Sequence, residues 1–99
     1  MRIVAVTACP TGIAHTYMAA EQLEKCAKKL GHTIKVETQG AMGIENELSQ
    51  EEIDAADVVV FAADIAIEKA DRFARAKQVH VSVQSALKNP ELIFKQIQS

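Results

Sequence analysis

The chain has 99 residues, a formal net charge of −2 and an ordinary globular composition of 48% hydrophobic and 24% charged residues, which excludes intrinsic disorder. This length supports one hydrophobic core, so we predict a single domain over residues 1–99, and the lack of a basic block argues against a nucleic-acid partner. No apolar run reaches the roughly 18 residues of a spanning helix, so no membrane insertion is expected, and two cysteines, too few for a disulfide scaffold, favour the cytoplasm.

The first half of the chain predicts two strands on either side of one long helix. Residues 3–8 (IVAVTA) form a continuous apolar run, the pattern of a strand buried on both faces. Helical spacing of apolar residues follows over about 13–30, and Gly31 is placed as the C-cap. Residues 33–38 alternate as a second strand, and residues 39–43 are predicted to be a loop. The helix stripe expected to face the sheet contains Ala19, Ala20, Leu23, Cys26, Ala27 and Leu30.

The second half predicts two more strands, at residues 58–63 (VVVFAA) and, shorter, at 78–82. The charged segment between them, 64–76, indicates a broken or short helix. A capping box at residues 49–52 opens a short helix, and the Asn-Pro pair at 89–90 opens a terminal one. Strands that alternate with helices favour parallel pairing with right-handed crossovers. We therefore predict a small doubly wound α/β domain with a four-stranded parallel sheet in the order 2-1-3-4 and helices on both faces.

Ligands of such folds bind outside the carboxyl ends of the strands, where the strand order reverses, and the first strand delivers Cys9 to that point. The chain then runs through small residues into a helix, which aims backbone N–H groups at one spot and stabilises a thiolate. We interpret Cys9 as a nucleophile that receives an anion such as a phosphoryl group. The alternative is a buried structural cysteine, which would need neither Pro10 nor Gly12. The predicted phosphate-binding loop comprises Pro10, Thr11, Gly12, Ile13, Ala14 and Thr16.

Roles are also assigned to four other side chains. His15 lies six positions after Cys9, where the loop of a Cys-x5-Arg phosphatase carries its arginine, and we predict it as an auxiliary donor; the alternative is a solvent-exposed residue of the first helical turn. Asp64, at the end of the third strand, orients His15, repels a premature attacking water, or caps the following turn. Arg72 contacts a phosphoryl group or partner, or is simply solvated. Cys26 lies on the apolar stripe and is interpreted as an inert core residue.

The residues from Ala8 to Glu21, ACPTGIAHTYMAAE, resemble the signature of the fructose-type enzyme IIB component of the bacterial phosphoenolpyruvate-dependent sugar phosphotransferase system. The resemblance continues over residues 36–43, 45–49, 56–64 and 71–73 (VETQGAMG, ENELS, ADVVVFAAD and DRF). It implies that Cys9 accepts a phosphoryl group from a phosphohistidine of enzyme IIA and passes it to fructose, or a similar hexose, moving through the membrane-embedded enzyme IIC. It also implies a cytoplasmic location at the inner face of the membrane and no metal or cofactor. The segment after Phe73 departs from the family pattern, so no roles are carried over to the last strand.

Two alternatives remain open at this point. A low-molecular-weight phosphatase would use the same cysteine loop, although His15 stands where its arginine belongs. A non-catalytic binding module would hold phosphate in the loop without forming a covalent bond. Helical geometry further predicts that Tyr17 and Met18 point outward, and backbone N–H groups that face a phosphate should leave the Ile13 side chain pointing outward as well. These three apolar side chains around Cys9 are expected to form a docking surface for the partner protein.

Overall fold

The computed structural model describes residues 1–9 and 13–98, without the side chains of Ile13 and Gln98. Strands and helices alternate along most of the chain, as the hydrophobic periods predict. In chain order the elements are β1 (Arg2–Ala8), α1 (Ile13–Lys29), β2 (Thr33–Gly40), β3 (Gly43–Glu45), α2 (Gln50–Ala55), β4 (Val58–Ala63), a 3-10 helix (Ala70–Phe73), β5 (Gln78–Val81), α3 (Val83–Lys88) and α4 (Pro90–Gln98).

The sheet has five strands in the order β3-β2-β1-β4-β5, and all pairs except β2 with β3 are parallel. The doubly wound α/β fold is confirmed, and the four predicted strands are β2, β1, β4 and β5 in the predicted order. The prediction of four parallel strands is wrong, because the sheet has a fifth strand, β3, which pairs antiparallel at the edge. Residues 39–43, predicted as a loop, instead continue β2 to Gly40 and turn back at once into β3. Gly43 has a φ of +88°, which glycine adopts without steric cost.

Each face of the sheet carries its own hydrophobic core, because successive residues of a strand point to opposite faces. Helices α1, α3 and α4 cover one face, and α2 with the 3-10 helix covers the other, so helices on both faces are confirmed. Cys9 belongs to the first core. The strand residues of the first core are Ile3, Ala5, Val36, Val58, Val60 and Ala62. Those of the second are Val4, Val6, Val59 and Phe61.

Helix α1 buries the predicted stripe over most of its length. Ala19, Leu23 and Ala27 have no exposed surface. The prediction that Leu30 faces the sheet is wrong, because it lies beyond the helix end and is 41% exposed. The C-cap at Gly31 is confirmed: its φ is +84°, its N–H donates to the Lys28 carbonyl, and the next N–H donates to the Ala27 carbonyl at 2.8 Å. These two hydrogen bonds form the pattern of a Schellman motif.

The short helix α2 begins at the predicted capping box. The Ser49 hydroxyl accepts the Glu52 N–H, and the Glu52 carboxylate accepts the Ser49 N–H at 2.9 Å. That bond, together with one from Lys35, lowers the pKa of Glu52 to about 2. The terminal helix begins at Pro90 as predicted, whereas α3 was not predicted. In the described ranges, no helix is long and apolar enough to cross a membrane.

Candidate functional site

Cys9 directly follows β1, the central strand of the sheet. Ala8, the residue before it, pairs with Gln39 of β2 on one side and with Ala63 of β4 on the other. Cys9 itself is 9% exposed, and the 17-residue helix α1 begins four positions later at Ile13. The thiol at the carboxyl edge of the sheet is therefore only a few residues along the chain from the positive end of the α1 dipole.

The predicted phosphate-binding loop is described only from its second half onward. Pro10, Thr11, Gly12 and the Ile13 side chain lie outside the described residues. Ala14 is exposed on the first turn of α1. Thr16 is 1% exposed, its carbonyl accepts the Thr7 hydroxyl at 3.1 Å, and a Cβ added to Gly40 would lie 3.9 Å from its Oγ1. Thr16 thus ties the start of α1 to β1 and lies beside the end of β2.

His15 is exposed on the first turn of α1. This position agrees with both interpretations of the residue, so its part in phosphoryl transfer stays a prediction. Asp64 accepts the backbone N–H of Val83 at 3.2 Å, and its own N–H donates to the Ala8 carbonyl at 3.1 Å. Its carboxylate therefore caps α3, a helix 19 residues further on, rather than the turn that follows it.

Cys26 is buried in the first core, as predicted. Burial raises the pKa of its thiol, the nearby Glu91 carboxylate raises it further, and Lys29 lowers it. The thiolate is the reactive form, so these surroundings keep Cys26 in the unreactive thiol form. Of the described residues, no three His, Cys, Asp or Glu side chains are grouped in a way that could hold a metal ion.

A buried ion pair between Glu37 of β2 and Arg72 of the 3-10 helix lies on the opposite face of the sheet from α1. Two parallel bonds join them, Nη1 to Oε1 at 2.8 Å and Nη2 to Oε2 at 3.0 Å. The Glu37 side chain is fully buried and that of Arg72 is 14% exposed. The interpretation of Arg72 as a solvated residue is wrong, because its side chain is paired and largely buried, whereas its contact with a phosphoryl group or a partner stays a prediction.

The other hydrogen bonds of this pair leave Arg72 with no unused N–H donor. Arg72 also donates to the carbonyls of Lys69, Leu48 and Glu68, which uses all five N–H groups of the guanidinium. Glu37 also accepts the Leu48 N–H and a Gln39 amide hydrogen. Burial alone would raise the pKa of Glu37, but the hydrogen bonds from Arg72, Leu48 and Gln39 outweigh it and the pKa is lowered. In return, the Glu37 carboxylate raises the pKa of Arg72.

The pair and Leu48, whose backbone bonds to both of its members, bring together three of the segments that carry the resemblance, at 36–43, 45–49 and 71–73. Sequence reasoning missed Glu37 as a partner. One signal was available: β2 lies inside a sheet that is covered on both faces, so a glutamate within that strand needs a buried cation. The pairing residue is 35 positions away, and no local spacing indicates it.

Large apolar side chains are exposed on the elements that meet at the carboxyl edge. Tyr17 and Met18 of α1 are 38% and 51% exposed, which confirms their predicted outward orientation. Met42, at the turn between β2 and β3, is 71% exposed, and Ile65, after β4, is 46% exposed. The Tyr17 hydroxyl donates to the Glu45 carboxylate and links α1 to β3.

Comparison with known proteins identifies close relatives over almost the whole chain. The profile of the family described as "PTS system, Lactose/Cellobiose specific IIB subunit" matches residues 4–96. The "PTS system fructose-like EIIB component 2" of Escherichia coli (strain K12) is 49% identical over 98 residues, covering 99% of this chain and 92% of that protein. The "Fructose-like PTS system EIIBC component" of the same strain is 54% identical and covers 98% of this chain. This chain spans only 20% of that second protein.

Solved structures show the same likeness in three dimensions. A domain of the fructose-specific IIABC component from Borrelia burgdorferi has a TM-score of 0.91 at 52% identity and covers 96% of this chain and 90% of that one. A predicted fructose-specific IIB from Escherichia coli has a TM-score of 0.93 at 42% identity, covering 98% and 86%. An arginine phosphatase reaches a TM-score of 0.52 at 14% identity, covering 100% and 97%, which is a likeness of fold alone.

Proposed function

Because the chain belongs to the enzyme IIB family of sugar phosphotransferase systems, we propose that Cys9 carries the phosphoryl group as a thiophosphate ester. The observation that supports this most directly is the position of Cys9. It is the residue that leaves the central strand at the carboxyl edge, four positions before α1 begins. Cys26, the other thiol, is embedded in the core on the same helix and is held in its thiol form.

The proposed reaction has two displacements at phosphorus. The Cys9 thiolate attacks the phosphohistidine of enzyme IIA, so that a P–S bond forms, the P–N bond breaks and the imidazole nitrogen keeps the electron pair and takes up a proton. A sugar hydroxyl then attacks the phosphorus, the P–S bond breaks, the thiolate is regenerated and the hydroxyl proton passes to solvent. Transfers of this kind depend mainly on positioning and on stabilisation of the phosphoryl oxygens.

The parts of the site follow from the sequence predictions. Backbone N–H groups over residues 11–16 form the cradle for the phosphoryl oxygens, at the positive end of α1. His15 adds a donor from the exposed first turn. Thr16 holds that turn against β1 through the Thr7 hydroxyl, which keeps the start of α1 in a fixed position relative to the strand. No metal or cofactor takes part in this scheme.

The partners we propose are enzyme IIA as donor and the membrane enzyme IIC, with its sugar, as acceptor. Relatives named EIIBC join the two components in one chain, which supports a position of this chain at the cytoplasmic face of the membrane beside enzyme IIC. The sugar we propose is fructose or a similar hexose, in line with the names of the relatives.

Mass spectrometry of the intact protein tests this function. The chain is incubated with phosphoenolpyruvate, the general phosphotransferase proteins and a fructose-type enzyme IIA, and the covalent adduct is mapped by peptide analysis. We expect one phosphoryl group, on Cys9. A non-covalent binding module would give no adduct. A phosphatase would instead release inorganic phosphate steadily from a generic aryl phosphate in the absence of the other proteins.

His15 is expected to speed the transfer without stabilising the fold. A donor to the transferring group contributes about 10–10³-fold to rate, so His15→Ala should slow single-turnover transfer from enzyme IIA by that factor. Its exposed position on the first turn predicts an almost unchanged melting temperature. A transfer rate equal to that of the unsubstituted chain would reduce His15 to a solvated surface residue.

The exposed apolar residues beside the site are expected to bind enzyme IIA. Met18→Asp places a charge on a surface that must lose its water on docking, so the apparent affinity for phosphorylated enzyme IIA should fall about 10-fold, with the rate at saturation nearly unchanged. Met18 is half exposed, so the melting temperature should move by no more than a few degrees.

Leu92→Asp is the matched control for this test. Leu92 is similarly exposed, at 56%, but lies on α4, whose first turn contacts the far end of α1 through the Lys29–Glu91 pair. We expect it to leave the apparent affinity unchanged. An unchanged apparent affinity in Met18→Asp would place the docking surface elsewhere, and an equal loss in both variants would show that the loss is not specific to the surface around Met18.

A further inference from the structure

Residues 64–68, which follow β4 and are called the strap here, run from the end of β4 to Gln39 at the end of β2. At one end, the Asp64 N–H donates to the carbonyl of Ala8 in β1. At the other end, Glu68 is bound to Gln39 at the end of β2. Because β1 lies between β4 and β2, the chain must pass over β1 to reach from one to the other. The strap therefore spans the strand from which Cys9 emerges.

The strap has little slack over this distance. Two strand spacings amount to about 10 Å, and four residues reach at most roughly 14 Å when fully extended. Between its ends the strap has no helix or strand of its own. Ile67, near its end, packs against the second core. The strap is therefore held by hydrogen bonds at its two ends, which include a longer one of 3.4 Å from Arg72 to the Glu68 carbonyl and one from the Val83 N–H to the Asp64 carboxylate, and by this apolar contact.

The anchor at β2 is the side-chain amide of Gln39. Its Oε1 accepts the Glu68 N–H at 2.8 Å, and its Nε2 donates to the Glu68 carbonyl at 3.1 Å, so one amide satisfies both backbone groups of that residue. The second hydrogen of Nε2 goes to Glu37 at 2.7 Å. Gln39 is 6% exposed. The bond to Glu37 of the ion pair therefore fixes the Gln39 amide, and the amide in turn fixes Glu68 of the strap.

Gln39 also lies directly beside the reacting strand. It pairs in register with Ala8, the residue before Cys9, and the following residue, Gly40, approaches Thr16 of α1. We propose that Gln39 is a positioning residue for phosphoryl transfer: it fixes the strap against the end of β1 and so keeps one side of the site around Cys9 in a constant place. This inference rests on the proposed function of Cys9.

The test is Gln39→Met, which conserves the length of the side chain and removes all three hydrogen bonds. Displacements of about 1 Å at a reacting group cost up to roughly 10²-fold in rate. We expect single-turnover transfer from phosphorylated enzyme IIA to slow 10- to 100-fold at saturating donor, with the apparent affinity changed less than twofold. The Asp64 amide should exchange its hydrogen faster, because the far end of the strap is loosened.

Gln50→Met is the matched control. Gln50 is likewise a glutamine with side-chain hydrogen bonds, one to Asp54 and one to the carbonyl of Arg72. Neither bond involves a residue of the strap. We expect unchanged transfer and unchanged exchange at Asp64. If Gln39→Met fails to fold, Gln39→Asn replaces it, because its amide is one methylene too short to reach Glu68.

The outcomes separate this inference from the proposed function. No labelling of the unsubstituted chain would overturn the function, and the inference with it. Normal labelling with an unchanged rate in Gln39→Met would overturn only the inference. A slower rate without faster exchange at Asp64 would also overturn it, because the loss would then not act through the strap.

Discussion

Replacing Cys9 by serine is expected to abolish phosphoryl incorporation, whereas Cys26→Ser is expected to leave it intact. Serine has a hydroxyl that is far harder to ionise than a thiol, so the attack on phosphohistidine fails even though the shape of the site is kept. Incorporation is measured by intact mass after incubation with phosphoenolpyruvate, the general proteins and enzyme IIA. Normal labelling of Cys9→Ser would refute the phosphocysteine mechanism.

The Cys26→Ser variant controls for damage to the fold. Cys26 is 6% exposed in the first core, so a hydroxyl there lowers the free energy of unfolding to some extent but leaves the end of β1 untouched. Labelling of this variant should therefore be complete at temperatures where it is folded. If both variants lost labelling while circular dichroism showed them folded, the assignment of the nucleophile to one thiol would fail.

The largest loss of stability is expected from Arg72→Gln. Removing one partner of a buried ion pair leaves an uncompensated charge, which costs about 3–5 kcal/mol. Here the stranded group is the fully buried Glu37 carboxylate. Urea unfolding at pH 7 measures the loss. Arg75→Gln, an exposed arginine three positions later, should change the free energy of unfolding by no more than about 0.5 kcal/mol.

The dependence on pH distinguishes a charge effect from a packing effect. The pKa of Glu37 is lowered in the folded state, so its contribution to stability is complete above the unfolded value of 4.5 and is lost as pH falls below that value. Without Arg72 the largest contribution that lowers the pKa of Glu37 is lost, so this pKa lies higher in the variant than in the unsubstituted chain and protonation costs the variant less stability. The difference between the two proteins should therefore shrink from pH 7 to pH 3.5. A constant difference would mean that Arg72 acts through packing alone.

Elements with strong local signals could be predicted from the sequence. The apolar runs at β1 and β4 identified the central strands, the stripe on α1 identified its buried face, and the capping box at Ser49 identified the start of α2. Each of these signals arises from the residues of the element itself. The position of Cys9 at the carboxyl edge followed from them, because a parallel sheet brings the ends of its strands together.

The elements that were missed are short or depend on distant residues. Strand β3 has three residues, too few for a period to show, and its pairing depends on the turn after Gly40. Helix α3 has six residues, although Ser82 is a regular N-cap that could have indicated it. The pairing of Glu37 with Arg72 depends on tertiary contacts across the second face of the sheet, which no local pattern contains.

Helix α1 also determines what oxidation can do to this chain. Cys26 lies 13 positions after the start of the helix at Ile13, a separation of about 20 Å along its axis. A disulfide needs Cα atoms less than about 7 Å apart. Helix α1 runs back along β1, because Thr16 is bonded to Thr7 near one end of that strand and Thr33, just after the helix, pairs with Arg2 at the other end. Cys9 and Cys26 therefore lie toward opposite ends of α1 and cannot join while it is folded, so any disulfide of Cys9 in the native state needs a cysteine outside these 99 residues.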